Sequence, residues 1–121
     1  PPRSTLFPYT TLFRSNDYLL DQNILHDDKL NLIKNLGTFI KFMHDTGISH
    51  RDLKLSNLLI DKKNKIYLID MDGIKVCKKV SDRRRKKDIS RIIKNLKKNN
   101  LDSNVDDFVK EYLANFKYIQ S

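Results

Sequence analysis

The stretch "ISHRDLKLSNLLI", Ile48 to Ile60, decides how the chain is read. Its polar residues His50, Arg51, Asp52, Lys54 and Asn57 are interleaved with Leu53, Leu55 and Leu58. Lys54 lies two residues after Asp52, so in an extended loop both side chains point to the same side. Asn57 adds an amide oxygen from the same loop. Downstream, Leu58–Ile60 and Ile66–Ile69 flank the polar turn Asp61-Lys62-Lys63-Asn64-Lys65, a β-hairpin signal. The hairpin returns the chain, so that Asp70 arrives at the end of a buried strand.

"HRDLKLSN", followed by a hairpin and "IYLIDMDG", resembles the C-terminal lobe of the protein-kinase-like fold. That resemblance implies an ATP-dependent phosphotransferase. Phosphoryl transfer needs a carboxylate at the attacking hydroxyl, oxygen ligands for Mg²⁺ and a cation near the transferred group. Asp52 is the implied catalytic base, Lys54 the implied phosphate partner, and Asn57 and Asp70 the implied metal and nucleotide contacts. His50 is expected to be structural and Arg51 to pair with an acid. Asp72 is either an exposed turn residue or an extra metal or substrate contact.

Two departures set the chain apart from ordinary protein kinases. Met71 and Asp72 stand where that family has Phe and Gly after its metal-binding Asp, and residues 73–88 are too short for a regulated activation loop. "LIDMD", then a basic stretch and "KDI" opening a helix, is more similar to the bacterial lipopolysaccharide core kinases, which phosphorylate heptose or Kdo sugars. By that resemblance Asp88 is the buried helix aspartate that holds the catalytic-loop backbone. A cytoplasmic place, peripheral at the inner face of the membrane, is likewise implied.

Around the loop the apolar spacing is helical. Asp27 and Asp28 are candidate N-caps for a helix over 29–45, with Leu30, Ile33, Leu36, Ile40 and Met43 as its stripe and Leu32, Phe39 and Phe42 widening it. Gly47 stands where a glycine stop belongs. Ile74-Lys75-Val76 reads as a short strand. Ser81 or Asp82 caps a helix to Lys98 with Ile89, Ile92, Ile93 and Leu96 inward, ended by Asn99-Asn100. Ser103 or Asn104 caps a last helix whose stripe is Val105, Phe108, Val109, Tyr112, Leu113 and Phe116.

The net charge of +9 is concentrated: residues 75–98 hold twelve Lys/Arg against two Asp. Such a run is commonly a solvated helix face. Its functional alternative is a contact for anionic membrane through Arg83, Arg84, Arg85, Lys86 and Lys87. The absence of interleaved aromatics disfavours nucleic acid. The single cysteine, Cys77, excludes an internal disulfide framework and reads as a small apolar residue.

Thr5–Ser15, "TLFPYTTLFRS", is unlike the Lys/Asn/Ile-rich remainder and matches the translation of a short-read sequencing adapter. Residues 1–15 are therefore expected to be artefactual and disordered, outside the fold. Residues 16–121 are expected to form a truncated α+β domain, mainly helical with a short β-hairpin. The three glycines form no G-x-G, and no Val-Ala-Ile-Lys strand precedes the loop, so the N-terminal lobe is expected to be absent. The parent would phosphorylate a lipopolysaccharide core sugar hydroxyl, and this chain alone would be inactive. Two alternatives stand beside that: a serine/threonine or small-alcohol kinase, and a non-catalytic basic docking module.

Overall fold

The computed structural model describes residues 12–120. The fold is α+β, with helices dominating two small sheets. In chain order it runs β1 (Phe13–Arg14), α1 (Ser15–Leu20), α2 (His26–Asp45), β2 (Ile48–His50), β3 (Leu58–Ile60), β4 (Ile66–Leu68), β5 (Ile74–Val76), α3 (Asp82–Lys98) and α4 (Val105–Gln120). Single 3₁₀ turns cover Leu55–Asn57, Met71–Gly73 and Asp102–Asn104.

The core lies where α2, α3 and α4 meet the sheet containing β3. Leu32, Ile33, Leu36 and Ile40 of α2 join Leu55, Leu58, Ile60, Ile92, Leu96 and Phe108, all fully buried. Gly37 lets α2 and α4 approach closely. A Cβ added there would lie 2.7 Å from the Phe108 carbonyl oxygen. Two apolar residues placed inward by periodicity point outward instead: Phe42 is 67% exposed and Leu113 51%. Each lies at the edge of its stripe, and Leu113 borders an open cavity against Arg85, Ile89 and Ser90 of α3. Phe116 lies outside the residues whose side chains are described.

The ends of the helices follow local chemistry. The Ser81 hydroxyl accepts from the Arg84 N–H at 3.2 Å and caps α3. At the other end Asn100 takes a left-handed φ of 60°, and the Leu101 N–H reaches the Leu96 carbonyl at 2.8 Å, closing the helix. Gly47 follows α2 with φ 86°. Asp27 and Asp28 are not caps: α2 begins three residues earlier than expected, at His26, and carries both in its first turn, next to the positive end of the helix dipole.

The hairpin forms over the expected residues. Leu58 pairs with Leu68, Leu59 with Tyr67 and Ile60 with Ile66. Asp61 clamps its turn: its carboxylate accepts the Lys63 and Lys65 N–H groups at 2.8 and 2.9 Å and the Tyr67 hydroxyl at 3.0 Å. Asn64 supplies the left-handed turn residue, φ 64°. β5 pairs antiparallel with β2, a strand with no signal of its own in the sequence: Ile48 faces Val76, Ser49 faces Lys75 and His50 faces Ile74.

Residues 12–15, the end of the segment set apart in the sequence, are described. Phe13 and Arg14 pair with Ile60 and Leu59 on the free edge of β3, and the buried Ser15 hydroxyl donates to the Leu58 carbonyl. Residues 1–11 lie outside the described residues. Cys77 is exposed, with its thiol 3.4 Å from the Gly47 carbonyl oxygen.

The Lys65 backbone N–H bond, joined by the Tyr67 and Lys63 bonds, outweighs the upward push of burial and holds the Asp61 carboxyl below its usual range. A carboxyl depressed in the folded state stabilises it above the unfolded value of about 4 and loses that effect as pH falls through the folded value. Asp61→Asn is expected to show a smaller fall in melting temperature between pH 6 and pH 3 than the parent, followed by circular dichroism. Equal falls would remove Asp61 from the acid response.

Candidate active site

The two strand pairings bring the predicted residues to one end of the molecule. The chain leaves β2 at His50, runs through residues 51–57 into the hairpin, and returns through residues 69–73 to β5. Because His50 faces Ile74, the two loops start side by side. The Arg51 N–H donates to the Gly73 carbonyl at 2.8 Å, and the Ile69 N–H to the Asn57 carbonyl at 2.9 Å.

His50 joins these loops through its side chain. It is fully buried, and its Nδ1 accepts the Asp52 N–H at 3.0 Å. Nδ1 therefore carries no proton, and Nε2–H donates to the Asp70 carbonyl at 2.8 Å. One neutral imidazole thus positions the backbone of both aspartates. Gly73 lies against the ring: a Cβ there would come within 2.5 Å of the imidazole.

Asp52 is exposed, with Lys54 Nζ 3.4 Å from its Oδ2. Such an exposed pair adds little stability but holds a cation beside the carboxylate. Asn57 is buried, and its Nδ2 donates to the Asp52 carbonyl at 3.0 Å, which leaves its amide oxygen without a hydrogen bond among the described residues. Asp70 is exposed and takes the left-handed φ of 66°, a conformation that aspartate tolerates better than most residues. Asn57 and Asp70 thus offer two hard oxygen donors at the ends of adjacent loops. Among the described residues no group of three His, Cys, Asp or Glu could hold a metal. Two donors nevertheless fit Mg²⁺, which is commonly bound through one or two protein oxygens plus water and substrate phosphates. Asp72 sits exposed in the Met71–Gly73 turn.

Two residues make contacts other than those expected. Among the described residues the Arg51 guanidinium pairs with no carboxylate; its carbonyl instead accepts from Arg91. Asp88 makes no hydrogen bond to the catalytic loop among the described residues. It is fully buried, its Oδ2 lies 2.8 Å from His44 Nε2, and its Oδ1 has no partner among the described residues. α3 holds the loop one and two turns further on, where Arg91 meets the Arg51 carbonyl and Asn95 Oδ1 accepts the Leu55 N–H at 2.7 Å. Periodicity in a basic run conceals these two residues, because nothing in the spacing marks them off from solvated neighbours.

The buried Asp88 belongs to a network joining α2, α3 and α4. His44 Nδ1 lies 2.7 Å from the Tyr112 hydroxyl, which accepts from Arg85 at 3.3 Å. Arg85 also donates to Asp45 at 3.1 Å, and Asp45 pairs with the buried Lys41. Burial alone would raise the Asp45 carboxyl, but the hydrogen bonds from Lys41 and Arg85 outweigh it and hold it below its ordinary range. Burial pushes the Tyr112 phenol up. Arg85 is therefore withdrawn from the basic surface, which leaves Arg83, Arg84 and Lys87 with Lys75 as a cradle at the start of α3.

With this geometry established, the comparisons are decisive. A profile described as "Lipopolysaccharide kinase (Kdo/WaaP) family" matches residues 16–112. The chain belongs to that family. It is 34% identical over 67 residues to a 3-deoxy-D-manno-octulosonic acid kinase of Vibrio parahaemolyticus, covering 55% of the chain and 27% of the relative. It is 35% identical over 54 residues to the Vibrio cholerae protein of the same name, covering 45% and 22%. A serine/threonine-protein kinase of Saccharomyces cerevisiae is 45% identical over 49 residues, 40% of the chain and 6% of the relative. The chain thus matches about a quarter of the length of its Vibrio relatives.

Gly73→Ala is expected to push His50 off both loops and destabilise the fold by about 1–3 kcal/mol, the usual cost of overpacking. Urea unfolding measures the loss. The Asp52 amide resonance should shift at the same time; an unmoved amide would show that the ring contact does not couple the loops.

Proposed function

We propose that residues 16–112 are the acceptor-side and metal-side part of an ATP-dependent kinase of a lipopolysaccharide core sugar hydroxyl. The observation that carries this reading is His50, whose two hydrogen bonds set Asp52 and Asp70 at one end of the fold. Family membership supports the same activity.

In this reading Asp52 orients the acceptor hydroxyl and takes its proton as the oxygen attacks the terminal phosphorus of ATP. The bond to the ADP oxygen breaks as the new phosphate ester forms. Lys54, held beside Asp52, offsets negative charge on the transferred group. Asn57 and Asp70 would hold Mg²⁺, which neutralises phosphate charge when bound. The cradle of Lys75, Arg83, Arg84 and Lys87 would keep the enzyme close to an anionic membrane, at the cytoplasmic face. Among the described residues no helix is long and apolar enough to cross one.

A protein hydroxyl acceptor is the second reading, favoured by the local identity to serine/threonine-protein kinases. In a protein that phosphorylates the acceptor, with the nucleotide-binding lobe of a related kinase fused to the chain if it is needed, Asp52→Asn is expected to lower kcat by roughly 10²–10⁴-fold, the usual contribution of a positioned base. Asp70→Asn should raise the Mg²⁺ concentration required for half-maximal rate. Radiolabelled phosphate transfer to core glycolipid measures both. Transfer that survives Asp52→Asn would exclude the role of Asp52, and transfer to protein acceptors alone would favour the second reading.

A further inference from the structure

Beside Asp52 lies a cleft of about 310 Å³ whose charged and amide walls are Asp52, Lys54, Arg91, Lys94, Asn95 and Lys98. The last four residues are spaced i, i+3, i+4 and i+7, so they share one face of α3. That face is fixed against the catalytic loop: Arg91 donates to the Arg51 carbonyl, and Asn95 accepts the Leu55 N–H. Lys94 and Lys98 stand exposed on the same face. Four cations therefore meet a single carboxylate, and that carboxylate already faces Lys54 at 3.4 Å. Among the described residues, no Asp or Glu lies within 4.0 Å of Arg91, Lys94 or Lys98. Like charges gathered around one cleft repel, and an oxyanion relieves that repulsion while accepting charge-assisted hydrogen bonds.

We infer that this cleft holds an oxyanion of the acceptor, a carboxylate or phosphate ester near the hydroxyl that is phosphorylated. The inference rests on the proposed role of Asp52. Lys94 and Lys98 are its specificity determinants, while Arg91 and Asn95 also position the loop. A neutral alcohol fits the same space without offsetting the charge, so the cleft selects sugar acids and sugar phosphates over neutral sugars. The nucleotide's own phosphates share this chemistry and are the competing source.

The test is binding to the isotope-labelled chain, followed by amide shifts, with 3-deoxy-D-manno-octulosonic acid, its neutral methyl ester and tripolyphosphate as probes. The sugar acid is expected to move the amides of Leu53, Lys94 and Lys98 and the ester to leave them in place. Lys94→Glu with Lys98→Glu should weaken sugar-acid binding about tenfold. Lys62→Glu with Lys63→Glu, an equal charge change in the hairpin turn, should alter it less than about twofold. Absence of shifts, equal binding of the ester, or equal loss in both double variants would overturn the inference. Tighter binding of tripolyphosphate at the same amides would assign the cleft to the nucleotide and overturn it too. Turnover in the same phosphorylating protein separates the two levels. Transfer that depends on Asp52, with acceptor KM unchanged by the Lys94 and Lys98 reversals, sinks the subsite alone. Transfer indifferent to Asp52 sinks the phosphotransferase role beneath it.

Discussion

The site depends on one buried imidazole. His50 accepts a hydrogen bond from the backbone N–H of Asp52 and donates one to the backbone carbonyl of Asp70, so two loops separated by a hairpin share a single rigid strut. Burying a polar ring is tolerable because both nitrogens are satisfied. The antiparallel pairing of β2 with β5 brings the loops together, and the imidazole sets their relative height. Gly73 completes the arrangement by leaving room for the ring.

Behind the site, the helices are joined by a second polar system of a different kind. Lys41, Asp45, Arg85, Tyr112, His44 and Asp88 form a continuous path through the contact of α2, α3 and α4. With His44 neutral, its two cations balance its two carboxylates. Desolvating such groups costs more than packing apolar ones of equal volume, so the network is better understood as fixing which faces meet than as a source of stability. It also removes Arg85 from a run of five consecutive basic residues. Sequence charge therefore overstates the cationic surface at the start of α3.

Local features were legible in the sequence, and long-range ones were not. The hairpin, the Ser81 cap and the Asn100 stop depend on side chains within a few residues of the backbone they bond. β2 was not legible, because three residues inside a loop motif form a strand only when Ile74–Val76 returns beside them. The outward Phe42 and Leu113 show the limit of periodicity: a wide apolar stripe does not say which edge its neighbour covers. Asp52, Asn57 and Asp70, the proposed site residues, were singled out by motif. Asp88 was found as a buried residue, but its partner His44 is 44 positions away, and the loop is held by Arg91 and Asn95 instead.

Asp70 occupies a backbone conformation that glycine would take more readily. A left-handed φ costs an L-residue roughly 1 kcal/mol, somewhat less for aspartate. Glycine at this position would relax the turn and delete the carboxylate in one step. Folding and chemistry therefore pull in opposite directions at a single residue, and a screen for thermal stability alone would tend to select against the proposed metal ligand.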